Sequence, residues 1–200
     1  MKELQTPNEQ QAQALLDQAM AASQSGAVEE AIRLFREAAH AQPGVAVPLF
    51  LLAAELAQSG AMQEAEQAYA GALLLAPELH TARFQLGLLQ FSSNRAAQAL
   101  LTWQPLLSVG DEAPWPHFVR GFGALAADQF AEAITFLEAG IACNAVNPPL
   151  NADIRLVIQR VTELLNQPSQ AEVLESAKAD ESDEEAAHLL LANYRQSPLH

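Results

Sequence analysis

The sequence predicts an all-α chain built from stacked helical hairpins. Two observations carry this expectation. Alanine and leucine dominate a chain that is 50% apolar and only 6% aromatic. Both residues are strong helix formers, and the types that favour strands are sparse. The second observation is a repeat: GAVEEAIRLFREAAHAQP, starting at Gly26, returns as GAMQEAEQAYAGALLLAP at Gly60. Self-similarity at a fixed spacing marks a modular array, and 200 residues can bury a substantial core.

The chain opens with a polar lead-in over residues 1–11. The stretch MKELQTPNEQQAQ has no apolar core of the kind a secretory signal needs. Sliding the sequence by 34 residues then gives four gapless copies, 12–45, 46–79, 80–113 and 114–147, which begin at Ala12, Ala46, His80 and Pro114. Each reads as a helix, a break, a second helix and a turn.

In each first helix one place holds a small residue: Ala19, Ala53, Gly87 and Gly121. Small side chains let a paired helix approach closely. The breaks hold Gly26, Gly60, Asn94 and Asp128, residue types that tolerate the left-handed conformation that ends a helix. The second helices carry Ala31, Ala65, Ala99 and Ala133, each followed one turn later by Phe35, Tyr69, Trp103 or Leu137. Four-residue spacing puts the small and the bulky side chain on one face. Pro43 and Pro77 close the first two copies; Asp111 and Ala145 stand there in the third and fourth.

Residues 148–167 follow prolines read as stopping the preceding helix. They carry Ile154, Val157, Ile158, Val161, Leu164 and Leu165 at helical spacing. Terminal repeats need their apolar side covered, so this segment is expected to be a capping helix. Residues 168–183 read as an acidic linker. Residues 184–200 read as a short apolar helix and tail, with Leu189, Leu190, Leu191 and Tyr194.

Little in the sequence points to chemistry. His40, His80, His117, His188 and His200 form no HxxxH or HExxH pattern, and Cys143 stands alone. No intrachain disulfide, cofactor or metal site is expected. GFGALAADQ around Gly121 resembles a phosphate loop, but no strand precedes it. The acidic ADESDEE run lacks the glycine and ligand spacing of a calcium loop. A net charge of −14 disfavours nucleic acid and anionic membranes. No stretch approaches the roughly 20 apolar residues of a membrane span. The lone cysteine fits a reducing compartment, and a cytoplasmic, noncatalytic protein is the expectation.

The repeat pattern resembles the tetratricopeptide repeat, most clearly in the second copy with Leu52, Ala53, Leu56, Gly60, Ala65, Tyr69, Ala72 and Pro77. The resemblance covers about two-thirds of the chain, Ala12 to Asn147. It implies an α-solenoid, a right-handed superhelix of helix-turn-helix repeats, whose concave face is lined by the first helices. Projected onto this register, that groove contains Leu16 and Met20 from the first copy and Phe50 from the second. The third copy supplies Phe84, Leu88 and Phe91; the fourth supplies Trp115, Phe118, Phe122 and Leu125.

The family's charged groove grips a terminal carboxylate through basic and amide side chains; Leu16, Phe50 and Phe84 stand here instead. The implied function is a scaffold that binds an apolar peptide or amphipathic helix in the groove. The alternative is a self-assembling subunit whose groove is filled by its own or a sister chain's C-terminal tail, giving a homodimer. A narrower version is similar to the bacterial type III secretion chaperones, which share acidity, small size and an apolar groove.

Overall fold

The computed structural model describes residues 7–145 and 147–166. The linker and tail expected over 168–200 lie outside the described residues. Nine helices occur among those described, and no strand. The first helices are α1 (Pro7–Gln24), α3 (Ala46–Gln58), α5 (His80–Ser92) and α7 (Pro114–Ala126). The second helices are α2 (Val28–Ala41), α4 (Met62–Leu75), α6 (Ala96–Trp103) and α8 (Phe130–Cys143), followed by α9 (Pro148–Asn166). The second helices start at Val28, Met62, Ala96 and Phe130, each 34 residues after the last.

The four breaks share one backbone geometry. Gly26, Gly60, Asn94 and Asp128 have φ of 78°, 84°, 61° and 57°. Around each, two hydrogen bonds satisfy carbonyls at the helix end. At the second break Gly60 N–H donates to Ala57 O and Ala61 N–H to Leu56 O; at the third, Asn94 N–H donates to Phe91 O and Arg95 N–H to Gln90 O. This is a Schellman motif. It explains why the third and fourth breaks use Asn and Asp, the side chains that best tolerate positive φ.

The chain divides into two compact units at Val119/Arg120. In the first, α1 to α6 pack in succession, each helix against the next. Ala31, Ala65 and Ala99 are fully buried, and Phe35, Tyr69 and Trp103 are at most 2% exposed. The predicted small-and-bulky pairs therefore form the seam between first and second helices. Polar links run along the two helix layers separately. Arg36 of α2 pairs with Glu64 of α4, and Arg95 at the start of α6 pairs with Glu66 of α4. On the first-helix side, Ser23 Oγ of α1 donates to Glu55 Oε2 of α3 at 2.7 Å.

The third copy departs from its siblings. Its second helix stops at Trp103 after eight residues and continues as a 3-10 turn, Gln104–Ser108. Pro105 is the cause. It has no N–H to donate, and its ring crowds the carbonyl four residues back, so the α-helical ladder cannot continue. Leu106 still buries completely from the tighter turn.

In the second unit, Ala133 and Leu137 of α8 are fully buried, and α9 packs on α8 through Leu150, Ile154 and Val161. Pro148 and Pro149 do not merely stop the preceding helix: they form the first turn of α9, where missing N–H groups cost nothing. Asn147 caps that turn, its Oδ1 accepting from Leu150 N–H at 3.1 Å. A buried amide pair fastens the junction. Asn144 Nδ2 donates to Asn151 Oδ1, and Asn151 Nδ2 to the Asn144 carbonyl, both at 2.8 Å.

Burial pushes the Tyr69 phenol up to about 12, against 10 for the free group. The unfolded chain therefore ionises first, and folding stability is lost as pH rises from about 10 to about 12. The urea midpoint should fall between pH 9 and pH 11 by more in the native sequence than in Tyr69→Phe. Equal falls would show that this phenol ionises as freely in the folded protein as in the unfolded one.

Candidate functional site

The first helices carry the candidate surface. Their charge content is low for a reason that their packing makes plain: one side meets the second-helix layer and another meets the neighbouring first helix. Among the described residues α3 has one charged side chain, Glu55, and α5 has one, Arg83. The second helices are richer: α2 alone carries Glu29, Glu30, Arg33, Arg36 and Glu37.

The expected groove residues separate into two groups. Leu16, Phe84, Phe118 and Phe122 are buried, and Phe84 and Phe118 have no exposure at all. They are core, which corrects the expectation that they form an open stripe. Phe84 shows why. Its ring centroid lies 5.5 Å from each of Trp103, Trp115 and Phe118, so neighbouring copies enclose it on several sides. Trp103 also donates its indole N–H to the Phe84 carbonyl at 2.9 Å.

The remaining residues keep accessible surface. Met20 is 44% exposed. Phe50, Leu88, Phe91 and Trp115 are half-buried in the first unit, and Leu125 is half-buried in the second. Phe50 leans on Tyr69 with centroids 6.1 Å apart, and Phe91 stacks on Trp103 at 5.9 Å. Each thus offers one side of an anchored ring. Val47, at 48% exposure, extends this surface on α3.

The first-helix surface also contains a group whose role the pattern alone did not reveal. Glu55 is 5% exposed, and its partner is the neutral Ser23 hydroxyl. Its sequence signal is a lone acid inside AVPLFLLAAELAQ. His117 is fixed differently, with Nε2 2.9 Å from the Asp111 carbonyl. A ring nitrogen facing a carbonyl must carry the proton, which makes this a structural bond at the start of α7. Among the described residues no three His, Cys, Asp or Glu side chains converge as a metal-ligand set, and no described helix is long and apolar enough to cross a membrane.

Similar backbones occur in solved structures. A tetratricopeptide repeat protein from Parabacteroides merdae is 15% identical, with a TM-score of 0.65 over 91% of this chain and 69% of that one. PilF of Pseudomonas aeruginosa is 18% identical, with a TM-score of 0.60 over 78% of this chain and 72% of that one. MamA from Desulfovibrio magneticus is 16% identical, with a TM-score of 0.58 over 90% of this chain and 100% of that one. No protein-family model matches the chain, and no curated protein matches it in sequence. The helical hairpins repeated every 34 residues, their left-handed breaks and these backbone likenesses agree: by fold, the chain is a tetratricopeptide-repeat protein.

Proposed function

We propose that this protein is a noncatalytic interaction scaffold whose first helices bind an apolar peptide or amphipathic helix. The observation that carries this reading is the accessible apolar surface on α1, α3 and α5. Met20 and Val47 are exposed there, beside the half-buried Phe50, Leu88 and Phe91, on helices nearly free of charge. Single exposed apolar side chains need no explanation, whereas a set of them gathered on one helix layer marks a contact surface.

The test uses a synthetic helical peptide with leucines on one face and glutamines on the other. Its affinity should fall about tenfold for Met20→Glu/Val47→Glu, as expected when charges enter an apolar contact. The matched control is Leu74→Glu/Leu101→Glu on α4 and α6, at leucines 85% and 71% exposed. That variant should bind like the native protein. The reverse ranking would move the ligand surface to the second helices.

Residues 184–200 as occupant, and the tail-exchanged dimer, call for a different result. Self-association by light scattering would then disappear on truncation after Asn166. A secretion-chaperone role would add preference for apolar segments of exported proteins over the model peptide.

A further inference from the structure

Charge is sorted between the two helix layers of residues 7–119. The arginines of α2 and α6 are held by acids of the second helices: Arg33 by Glu30 and Glu37, Arg36 by Glu64, and Arg95 by Glu66. Arg83 of α5 donates to the Pro77 carbonyl. Helices α1 and α3 contain no lysine or arginine at all, and their acids include Asp17 and Glu55. Asp17 accepts from the neutral amide of Gln13 at 2.8 Å, and Glu55 from the neutral hydroxyl of Ser23.

Glu55 is the telling case. Removing a carboxylate from water is costly unless a cation or several donors replace the lost hydration. Here one oxygen has one neutral donor, while a carboxylate can accept about four hydrogen bonds. The bond lies in the seam between α1 and α3. Ser23 is one turn beyond Met20, and Glu55 follows Ala54, which the repeat register places beside Phe50 on the candidate face. A cation brought to this seam would find a carboxylate of low hydration among apolar neighbours, where its attraction is strong.

Resting on the peptide-binding reading above, we infer that the preferred ligand is a cationic amphipathic segment, with Lys or Arg beside its apolar side chains, and that Glu55 receives one of those cations. The same sorting of charge disfavours the chain's own C-terminal stretch. Residues 167–200 carry seven acidic and two basic side chains, and like charge opposes their docking on α1 and α3.

The experiment compares three peptides on the full-length protein by fluorescence anisotropy: the leucine/glutamine helix, a leucine/lysine version of it, and a peptide of residues 184–200. The leucine/lysine peptide should bind about tenfold tighter than the leucine/glutamine one, the scale of one charge-assisted contact. Glu55→Gln should remove most of that advantage, because the amide oxygen still accepts from Ser23 but carries no charge. Glu29→Gln, an exposed acid in the first turn of α2, should change the ratio less than about twofold. Ser23→Ala should raise the ratio by leaving Glu55 in greater need of a partner, and a merely structural clasp would leave it unchanged.

Equal effects of Glu55→Gln and Glu29→Gln would reduce the preference to diffuse charge and overturn the inference. So would tighter binding of the 184–200 peptide. If the leucine/glutamine peptide binds with no advantage for lysine, the cationic preference fails and the scaffold reading stands. If no peptide binds, both fail.

Discussion

Gly87→Ala is expected to destabilise the protein by about 3 kcal/mol, the upper range for overpacking, although alanine is the better helix former by about 1 kcal/mol. A Cβ at residue 87 would come within 2.6 Å of Trp103 Cδ1 and closer still to Nε1 and Cε2. The indole cannot step aside cheaply. It is fully buried, hydrogen-bonded to the Phe84 carbonyl and stacked on Phe84 and Phe91. Thermal unfolding should begin about 10 °C lower, from roughly 2–4 °C per kcal/mol for a chain of this size. A melt within about 2 °C of the native one would show that the Trp103 seat is loose.

The other copies supply the rescue. Ala53 occupies the corresponding place in the second copy, and Tyr69 is its bulky counterpart in the same buried cluster. Gly87→Ala/Trp103→Tyr rebuilds that pairing in the third copy. The double variant should recover more than half of the loss from Gly87→Ala, a coupling expected only for side chains in contact. Gly121 follows the same logic against Leu137, whose Cγ and Cδ2 would lie 2.7 Å from an added Cβ. The small place is therefore set copy by copy by the shape of the side chain it receives.

That pairing was legible in the sequence because both partners recur at fixed offsets and the contact is local to one hairpin. The left-handed breaks were legible for a similar reason: at φ near 60° the choice narrows to Gly, Asn and Asp, so Asn94 and Asp128 announce their backbone. Exposure along the first helices was harder to read. Leu16, Phe50, Phe84 and Phe118 occupy the same place in the repeat, yet Phe84 and Phe118 are enclosed and Phe50 is half-open. The difference lies in what the next copy contributes, such as the Trp115 and Phe118 rings around Phe84, and helical spacing within one copy contains no trace of it. Pro105 and the Asn147-Pro148-Pro149 start of α9 were local signals in plain view. Each changes a helix through a missing N–H, one by breaking the ladder inside α6 and the other by fitting where no ladder exists.

Phe84→Glu should cost about 5 kcal/mol, because it places an unpaired charge in an enclosed site and removes an aromatic side chain as well. The ring lies 5.5 Å from three other aromatic centroids and is not exposed at all. No cation reaches that position to compensate a carboxylate. The loss is comparable with the whole stability of many domains, about 5–15 kcal/mol. Neighbouring copies depend on each other in repeat arrays, so damage at Phe84 should spread to α6 and to the start of α7. Urea denaturation followed by far-ultraviolet circular dichroism would show an early transition, with loss of the Trp103 near-ultraviolet signal in the same step. Met20→Glu is the contrast: at 44% exposure it should shift stability by less than about 0.5 kcal/mol. The comparison matters for reading any binding experiment. Loss of a ligand in Phe84→Glu reports an unfolded third repeat, whereas loss in Met20→Glu reports a contact. If the two variants unfold at the same urea concentration, Phe84 is not enclosed, and the division of the first-helix residues into core and surface must be redrawn.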